Sequence, residues 1–238
     1  MTTETTPWDF FDRLYCISLK QREDRRQSAV EEFAKVGLAD RVEFIVSERL
    51  PYDIMQQIYE SHMTCLQKGL EAGARNIVVF EDDVEFERFD SRKLQSCVEF
   101  LKQNPRWKVF LFGALIRASR KTANPHVQKV RYQSLTHAYV LNRDYAQTLA
   151  YVPWQGIAND TLFRPLKDDV YAACPMFAFQ KDFSSDNIEY LRLECFRKLF
   201  GGLRRIQKGI EFYRRHMFSI YAVQVVLILL VVIYLFCW

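Results

Sequence analysis

The sequence predicts an α/β fold in which a mainly parallel sheet is flanked by helices, followed by a C-terminal amphipathic helix and a single transmembrane helix. Strand-like and helix-like patterns alternate over residues 13–113, residues 217–238 carry no charged side chain, and a basic segment of helical periodicity precedes them. The chain has 238 residues, 49% of them hydrophobic, which is enough for one domain of moderate size with appendages.

The first half of the chain alternates strands and helices. The periodicity predicts strands over 13–20, 41–47, 77–80 and 107–113, and helices over 23–38, 53–74 and 93–105. Gly37, Gly73 and Pro105 mark the ends of the three helices. This order favours a mainly parallel sheet, and ligands gather at the carboxyl ends of the strands in such sheets.

The segment NIVVFEDDVEF, residues 76–86, ends a strand in three adjacent acids. Residues 77–80 are all apolar, so we expect a central strand with Glu81, Asp82 and Asp83 at its carboxyl end. Carboxylates there repel one another and lose hydration, so protonation, an arginine or a divalent cation should compensate. Mg²⁺ and Mn²⁺ prefer such oxygen ligands, but a solvated acidic turn explains the spacing equally well.

The segment MFSIYAVQVVLILLVVIYLFCW, residues 217–238, predicts a transmembrane helix. At about 1.5 Å per residue it is long enough to cross a hydrocarbon core of roughly 30 Å. A buried core helix is the alternative, and it would need a partner on every face. Lysines and arginines between Arg197 and Arg215 flank the segment, which places that side in the cytoplasm.

Residues 187–216 form a basic segment before the apolar one. Apolar residues recur there at steps of three and four, which predicts an amphipathic helix on anionic lipid. A helix packed on the main domain with a solvated basic face is the alternative. The segment carries eight Lys and Arg against three Glu, so residues 1–186 are slightly acidic although the chain has a net charge of +4. This distribution argues against a nucleic-acid partner.

The sequence thus divides into a main domain over 1–186, a membrane-proximal segment over 187–216 and a transmembrane helix over 217–238. The N-terminus lacks a basic start followed by an apolar run, so we expect no secretory signal. The six cysteines form no CxxC pair, which favours reduced thiols. We therefore expect a single-pass C-terminal anchor with the main domain facing the cytoplasm.

Five segments occur in the order found in glycosyltransferase family 25: CISLKQREDRR, SHMTCLQKGLEAGARNIVVFEDDVEF, THAYVLNRDYAQTL, NDTLF and PMFAFQKDFSSDNI. Over residues 13–188 the chain therefore resembles this family, which includes bacterial lipooligosaccharide and procollagen galactosyltransferases. The family is similar to other GT-A enzymes, which bind a nucleotide sugar on a Rossmann-like sheet. They hold Mn²⁺ or Mg²⁺ with an acidic motif after a central strand, so the resemblance implies a GT-A-like fold and this cofactor.

The resemblance implies that the end of the first strand and the turn after it contact the nucleotide. The matching residues are Ser18, Leu19, Arg22, Arg25 and Arg26, with Ser18 standing where the family usually has Asn. Arginine suits phosphate because its planar fork donates two hydrogen bonds at once. For any one of the three arginines, an exposed charged helix start is the alternative.

The resemblance also implies roles on the metal and donor side. Asp83, assisted by Glu81 or Asp82, matches the metal ligand, and the donor's two phosphates would complete the metal's coordination. His62 matches the Ser-His pair of the family's acceptor-side or donor-side helix, which implies a substrate-binding or nucleotide-binding residue, although a lone helical histidine is otherwise more often structural.

Asp160 matches the family's later acidic motif, so the resemblance implies a general base for the acceptor hydroxyl. An Asp that caps a short helix, DTLFRPL, is the alternative, and Asp168 and Asp169 are competing candidates.

His137 and Tyr139 match a segment that would line the sugar pocket, although Tyr139 also suits the core. Gln180 and residues 184–186 match the family's closing motif.

The function implied is a metal-dependent glycosyltransferase that transfers galactose from UDP-galactose to a hydroxyl of a glycan, glycolipid or protein, with inversion. A membrane anchor favours a lipid-linked acceptor, because enzyme and substrate then share one surface. The alternative is a catalytically silent, transferase-like binding module anchored to the membrane.

Overall fold

The computed structural model describes residues 6–51, 53–181 and 199–237. Its strands are β1 (Arg13–Leu19), β2 (Val42–Ser47), β3 (Asn76–Glu81), β4 (Val84–Phe86), β5 (Val109–Leu111), β6 (Leu115–Lys121), β7 (Val127–Ser134), β8 (Ala138–Asn142), β9 (Val170–Ala173) and β10 (Ala178–Gln180). Its helices are α1 (Glu23–Lys35), α2 (Ile54–Glu71), α3 (Ser91–Gln103), α4 (Arg143–Leu149) and α5 (Leu203–Cys237).

An eight-stranded sheet with the order β2-β1-β3-β8-β5-β9-β7-β6 forms the centre of the domain. β1 pairs in parallel with β2 and β3, and β5 pairs in parallel with β9. β8 and β7 run antiparallel to the strands on both of their sides. The predicted fold class, a mainly parallel sheet flanked by helices, is confirmed, with β8 and β7 as the reversed strands.

Helices cover both faces of this sheet. α1 and α3 bury apolar side chains such as Phe33 and Leu94 on one face, whereas α2 and α4 bury Leu66 and Ala146 on the other. In β3, residues 77–80 are 0% exposed, so the prediction of a central strand is confirmed. Fully burying a side chain of this size contributes about 1.5–3 kcal/mol, which fixes β3 and the three acids that follow it.

A short ribbon of β4 and β10 packs where β5 ends. The sequence predicts a strand that continues to residue 113, but β5 ends at Leu111 and Gly113 lies against the ribbon. A Cβ atom at Gly113 would stand 1.8 Å from the carbonyl oxygen of Ala178. The amides of Phe177 and Ala178 both donate to the Phe112 carbonyl, at 3.0 and 3.2 Å. The ribbon thus depends on a residue without a side chain at this contact.

α5 is one helix that runs from Leu203 to Cys237. It is the candidate membrane span by length and composition, and its most apolar window is 0% buried. Its first turns instead pack on the domain, where Gln207 is only 1% exposed. Residues 203–211 were expected to lie on anionic lipid. The structure corrects this expectation, because they pack on the main domain, as the alternative stated. Residues 187–198, and with them the start of the predicted amphipathic helix, lie outside the described residues.

We predict that Gly113→Ala lowers the free energy of unfolding by about 1–3 kcal/mol or more, because the new methyl group must displace the backbone of Ala178. Gly209→Ala is the matched control, since a Cβ at this position of α5 meets no atom within 4 Å. That control should leave stability unchanged or raise it, because alanine favours helix. Chemical denaturation of the full chain in detergent checks both. Equal stability of the two variants would contradict the close approach at Gly113.

Candidate active site

The three acids lie where the carboxyl ends of β1 and β3 meet. Glu81 is the last residue of β3, and Asp82 and Asp83 form the turn into β4. Since β1 pairs in parallel with β3, its last residues, Ser18 and Leu19, end at the same edge. The structure therefore brings the predicted nucleotide strand and the predicted metal ligands together.

Asp82 is held on both carboxylate oxygens. The Ser18 hydroxyl donates to Oδ2 at 2.6 Å, and Arg25 Nη1 lies 3.4 Å from Oδ1. Burial raises the pKa of Asp82, and the Ser18 hydrogen bond and the Arg25 charge oppose this shift. Asp82 therefore connects β1 to α1.

Asp83 is held more loosely. Its Oδ1 lies 3.5 Å from Gln180 Nε2, and its Oδ2 lies 3.8 Å from Arg25 Nη1. Burial, followed by the negative charge of Glu81, raises the pKa of Asp83 to about 8. Its carbonyl oxygen accepts a hydrogen bond from the Lys181 amide at 2.7 Å, so the backbone is fixed while the carboxylate has only long contacts.

Glu81 contacts residues that precede β8 and that end β10. Its Oε1 accepts a hydrogen bond from the Thr136 hydroxyl at 3.0 Å and lies 3.5 Å from His62 Nε2, and its Oε2 lies 3.4 Å from Gln180 Nε2. Burial, followed by the charge of Asp160, raises the pKa of Glu81 to about 8. The amide of Gln180 thus stands between Glu81 and Asp83.

Asp160 is joined to this cluster through Thr136. It lies in a 3-10 turn, Asn159–Thr161, and its Oδ1 is 3.3 Å from the amide and 3.5 Å from the hydroxyl oxygen of Thr136. Asn159 Nδ2 donates to the same hydroxyl oxygen at 2.7 Å. In the alternative role, Asp160 would cap the start of a short helix. The N-cap residue of this turn is Ala158 instead, and Asp160 lies inside the turn. Asp160 therefore faces the acids across Thr136.

Of the three predicted arginines, Arg25 lies beside the acids. Arg26 donates to the carbonyl oxygens of Leu19 and Lys20, so it fixes the backbone at the end of β1. Arg22 forms a two-pronged pair with Asp24, with both nitrogen–oxygen distances at 3.0 Å. In this arrangement Arg26 shapes the turn, and Arg25 supplies the nearest positive charge at Asp82 and Asp83, with a smaller contribution from Arg22 at Asp82.

His62 lies beneath the acids as a buried neutral residue. Its Nδ1 is 2.9 Å from the Tyr139 hydroxyl, and the two rings stack at 5.7 Å between centroids. Burial lowers the pKa of His62 to about 3, against the opposing charge of Asp160. His62 therefore supports Glu81 from the core side.

His137 and Tyr139 were expected to line the sugar pocket, and the structure corrects this expectation. Both are 0% exposed. Tyr139 lies in the core, the alternative that its sequence context left open. Burial lowers the pKa of His137 to about 4, and its Nε2 would be 2.8 Å from a Cβ atom at Gly113. Both rings therefore face packed protein.

Sequence reasoning missed several residues that organise the site. Thr136 and Asn159 join Asp160 to Glu81. Lys181 Nζ lies 2.8 Å from a carboxylate oxygen of Glu32, which is only 1% exposed. No local pattern indicates these partners, because Glu32 and Lys181 are far apart in the chain.

Asp168 and Asp169, the competing candidates for the general base, pair with Lys129 and Lys108. Residues 184–186 lie outside the described residues.

The donor set at Glu81 and Asp83 fits a hard divalent cation. Within the described ranges, no group of three or more His, Cys, Asp or Glu side chains is arranged to hold a metal ion. Two carboxylates nevertheless flank the Gln180 amide, and burial, followed by the charge of a neighbouring carboxylate, raises the pKa of each. Oxygen donors of this kind are those that Mn²⁺ and Mg²⁺ prefer.

Fold and site together define an α/β domain whose acidic cluster, with Arg25 beside it, occupies the carboxyl edge of a mainly parallel sheet, the usual ligand position in such folds.

No protein-family model matches the chain. The chain is 27% identical over 168 residues to "Probable inactive glycosyltransferase 25 family member 3" of Bos taurus, which covers 60% of this chain. The resemblance to glycosyltransferase family 25 is confirmed by this match. The chain spans 27% of the length of that relative.

Solved structures also resemble the chain. A197 from STIV has a TM-score of 0.45 and 13% identity, covering 74% of this chain and 97% of that one. A glycosyltransferase involved in the glycosylation of the major capsid of PBCV-1 has a TM-score of 0.42 and 10% identity, covering 73% of this chain and 94% of that one. UDP-glucose pyrophosphorylase complexed with UDP-glucose has a TM-score of 0.37 and 11% identity, covering 67% of this chain and 72% of that one. These scores carry no information about the function of this chain.

We predict that, without divalent cations, the free energy of unfolding falls as the pH rises from about 6.5 to about 8, because below this range the lowered pKa values of His62 and His137 give a slope of opposite sign. The pKa values of Glu81 and Asp83, each about 8 in the fold, exceed their ordinary values of 4.5 and 3.8, so the folded state binds more protons in this range. Asp83→Asn should reduce the fall by at least about 1 kcal/mol. Denaturation of the full chain in EDTA across pH measures it.

Asp168→Asn is the control for this pH profile, because Asp168 is an exposed acid paired with Lys129 and its pKa is lowered. The control should not reduce the fall. Superimposable profiles for Asp83→Asn and the unchanged chain would contradict the electrostatic account of the acidic cluster.

Proposed function

We propose that this protein is a metal-dependent glycosyltransferase that transfers a sugar from a nucleotide sugar to an acceptor hydroxyl. UDP-galactose is the proposed donor, and the proposed acceptor is a glycan, glycolipid or protein. The observation that carries the proposal is the cluster of acids at the carboxyl edge of the sheet. Glu81 and Asp83 flank the Gln180 amide, and Thr136 lies between Glu81 and Asp160. Family resemblance supports the choice of reaction.

Donor binding is assigned to β1, α1 and the acids. Ser18 and Leu19 end β1 beside the site, so they would face the nucleotide. Arg25, now beside Asp82 and Asp83, would turn its planar fork to the diphosphate oxygens. Asp83 and Glu81 would hold Mn²⁺ or Mg²⁺, which when bound neutralises the charge that develops on the leaving diphosphate. Asp82 is already held by Ser18 and Arg25, so it would serve as a support rather than a ligand.

Asp160 is the proposed general base. Its carboxylate would take the proton from the acceptor hydroxyl as that oxygen forms a bond to the anomeric carbon and the bond to the diphosphate oxygen breaks. The Thr136 amide and hydroxyl orient Asp160, and Tyr132 donates to the Asp160 carbonyl oxygen at 3.0 Å. A single displacement of this kind inverts the configuration at the anomeric carbon.

The proposed location is a membrane, with α5 as a single-pass anchor and the domain facing the cytoplasm. The length and hydropathy of α5 support a span, and the arginines before residue 217 support this orientation. Anchoring confines the domain to one surface, which favours a lipid-linked acceptor on the same surface by raising its effective concentration.

The second candidate function is a catalytically silent, membrane-anchored binding module. One observation favours it: Arg25 already lies between Asp82 and Asp83, so the acids receive positive charge from the chain itself. The Bos taurus relative is also named as probably inactive. Against this candidate, the contacts of Asp83 are 3.5 Å or longer, which leaves its carboxylate available to another ligand.

We predict that the full chain in detergent binds UDP in the presence of Mn²⁺, and that Asp83→Asn weakens this binding by about tenfold or more, since a metal ligand is lost. Isothermal titration calorimetry with UDP, with and without Mn²⁺, measures the effect. Asp168→Asn is the matched control and should bind as the unchanged chain does. Absence of UDP binding with Mn²⁺ would favour the silent module.

We further predict that Asp160→Asn reduces the Mn²⁺-dependent release of UDP from UDP-galactose by about 100-fold, because the amide cannot accept the proton. UDP affinity should stay within about twofold of the unchanged chain, since Asp160 is assigned to the acceptor side. A coupled assay for UDP measures the rate. Full activity of Asp160→Asn would remove it from the mechanism.

A further inference from the structure

The first turns of α5 make buried polar contacts with β10 and with the residues just before it. Gln207, 1% exposed, donates from Nε2 to the Ala178 carbonyl oxygen at 3.0 Å. Glu211, 6% exposed, accepts a hydrogen bond from the Met176 amide at 2.6 Å and pairs with Arg88 at 3.2 Å. Buried polar groups bonded in this way are costly to separate, so α5 is fixed to the backbone of this segment.

The outer side of the same turns pairs with β4 and the residue after it. Arg204 lies 3.1 Å from Glu85 and 2.9 Å from Glu87, and Lys208 also pairs with Glu87. The Lys208 ammonium lies 5.1 Å from the centroid of the Phe179 ring, in β10. α5 therefore contacts both strands of the β4–β10 ribbon, through amides, carboxylates and an aromatic ring.

This ribbon leads directly into the candidate site. β4 begins immediately after Asp83, and β10 ends at Gln180, whose amide stands 3.4 Å from Glu81 and 3.5 Å from Asp83. The Lys181 amide closes the ribbon by donating to the Asp83 carbonyl oxygen at 2.7 Å. Only Phe179 separates Ala178, which Gln207 holds, from Gln180.

We propose that the anchor helix completes the donor site: Gln207 is a positioning residue that acts through β10 to hold Gln180 beside Glu81 and Asp83. This inference rests on the proposed function, because it assigns Gln207 to metal-dependent diphosphate binding. It follows that residues 1–186, expressed without α5, lack a structural part of the site. The helix that anchors the domain is then also the element that sets the geometry of its acids.

The test uses the full chain in detergent with Gln207→Leu, which keeps a similar side-chain size but removes the hydrogen bond from Nε2 to the Ala178 carbonyl oxygen. Arg205→Leu is the matched control, because Arg205 is an exposed residue of the same helix. Each change is also combined with Gln180→Ala. Affinity for UDP is measured with and without Mn²⁺, well below the melting temperature of each variant.

If Gln207 acts through Gln180, Gln207→Leu weakens UDP binding in Mn²⁺ by about tenfold and has no further effect in the Gln180→Ala background. Arg205→Leu changes neither value. General destabilisation would instead give additive losses in the double variant. Additive losses, or unchanged affinity in Gln207→Leu, would overturn the proposal.

Hydrogen exchange provides a second readout that needs no ligand. Gln207→Leu should speed exchange of the amides over 178–181, whereas Arg205→Leu should not. If the unchanged chain binds no UDP, the proposed function fails, and exchange alone decides the coupling of α5 to the ribbon. Unchanged exchange over 178–181 would overturn the coupling whether or not UDP binds.

Discussion

Three carboxylates stand side by side at the buried end of β3, and the electrostatic cost of their charges organises the chain around them. Asp82 takes donors from β1 and α1, Glu81 from Thr136 before β8, and Asp83 from Gln180 at the end of β10. Because each carboxylate draws on a different element, moving any of these elements leaves a buried charge less compensated. The site therefore connects segments that are distant in sequence, and its geometry depends on how the whole domain packs.

Local patterns were sufficient for the first half of the fold. The apolar run before Glu81 and the helix periodicities around it are local signals, so β1 to β3 and α1 to α3 could be predicted within a few residues. The reversed β8 and the β4–β10 ribbon could not, because strand direction and pairing depend on contacts far along the chain. The same limit explains Thr136, an ordinary hydroxyl in the sequence that becomes central only when Asn159 and Asp160 return to it.

Charge patterning was misleading in α5 for a related reason. A basic amphipathic segment before an apolar one suits anionic lipid, yet Arg204 and Lys208 pair with Glu85 and Glu87 on the domain. Composition specifies what a helix face is able to bind, whereas the fold decides which acidic partner is nearest. His137 and Tyr139 show a different limit, since the family resemblance implied a pocket but complete burial places both rings in packed protein.

The difference between an active enzyme and a silent module then concerns which groups near the acids can move. Ser18 holds Asp82 at 2.6 Å, whereas Arg25 reaches Asp82 and Asp83 only at 3.4 and 3.8 Å. A bound cation would supply positive charge at the Asp83 carboxylate, where the Gln180 amide and the Arg25 guanidinium lie 3.5 and 3.8 Å away. The long contacts of the Asp83 carboxylate therefore favour a site in which this acid exchanges partners when a donor binds.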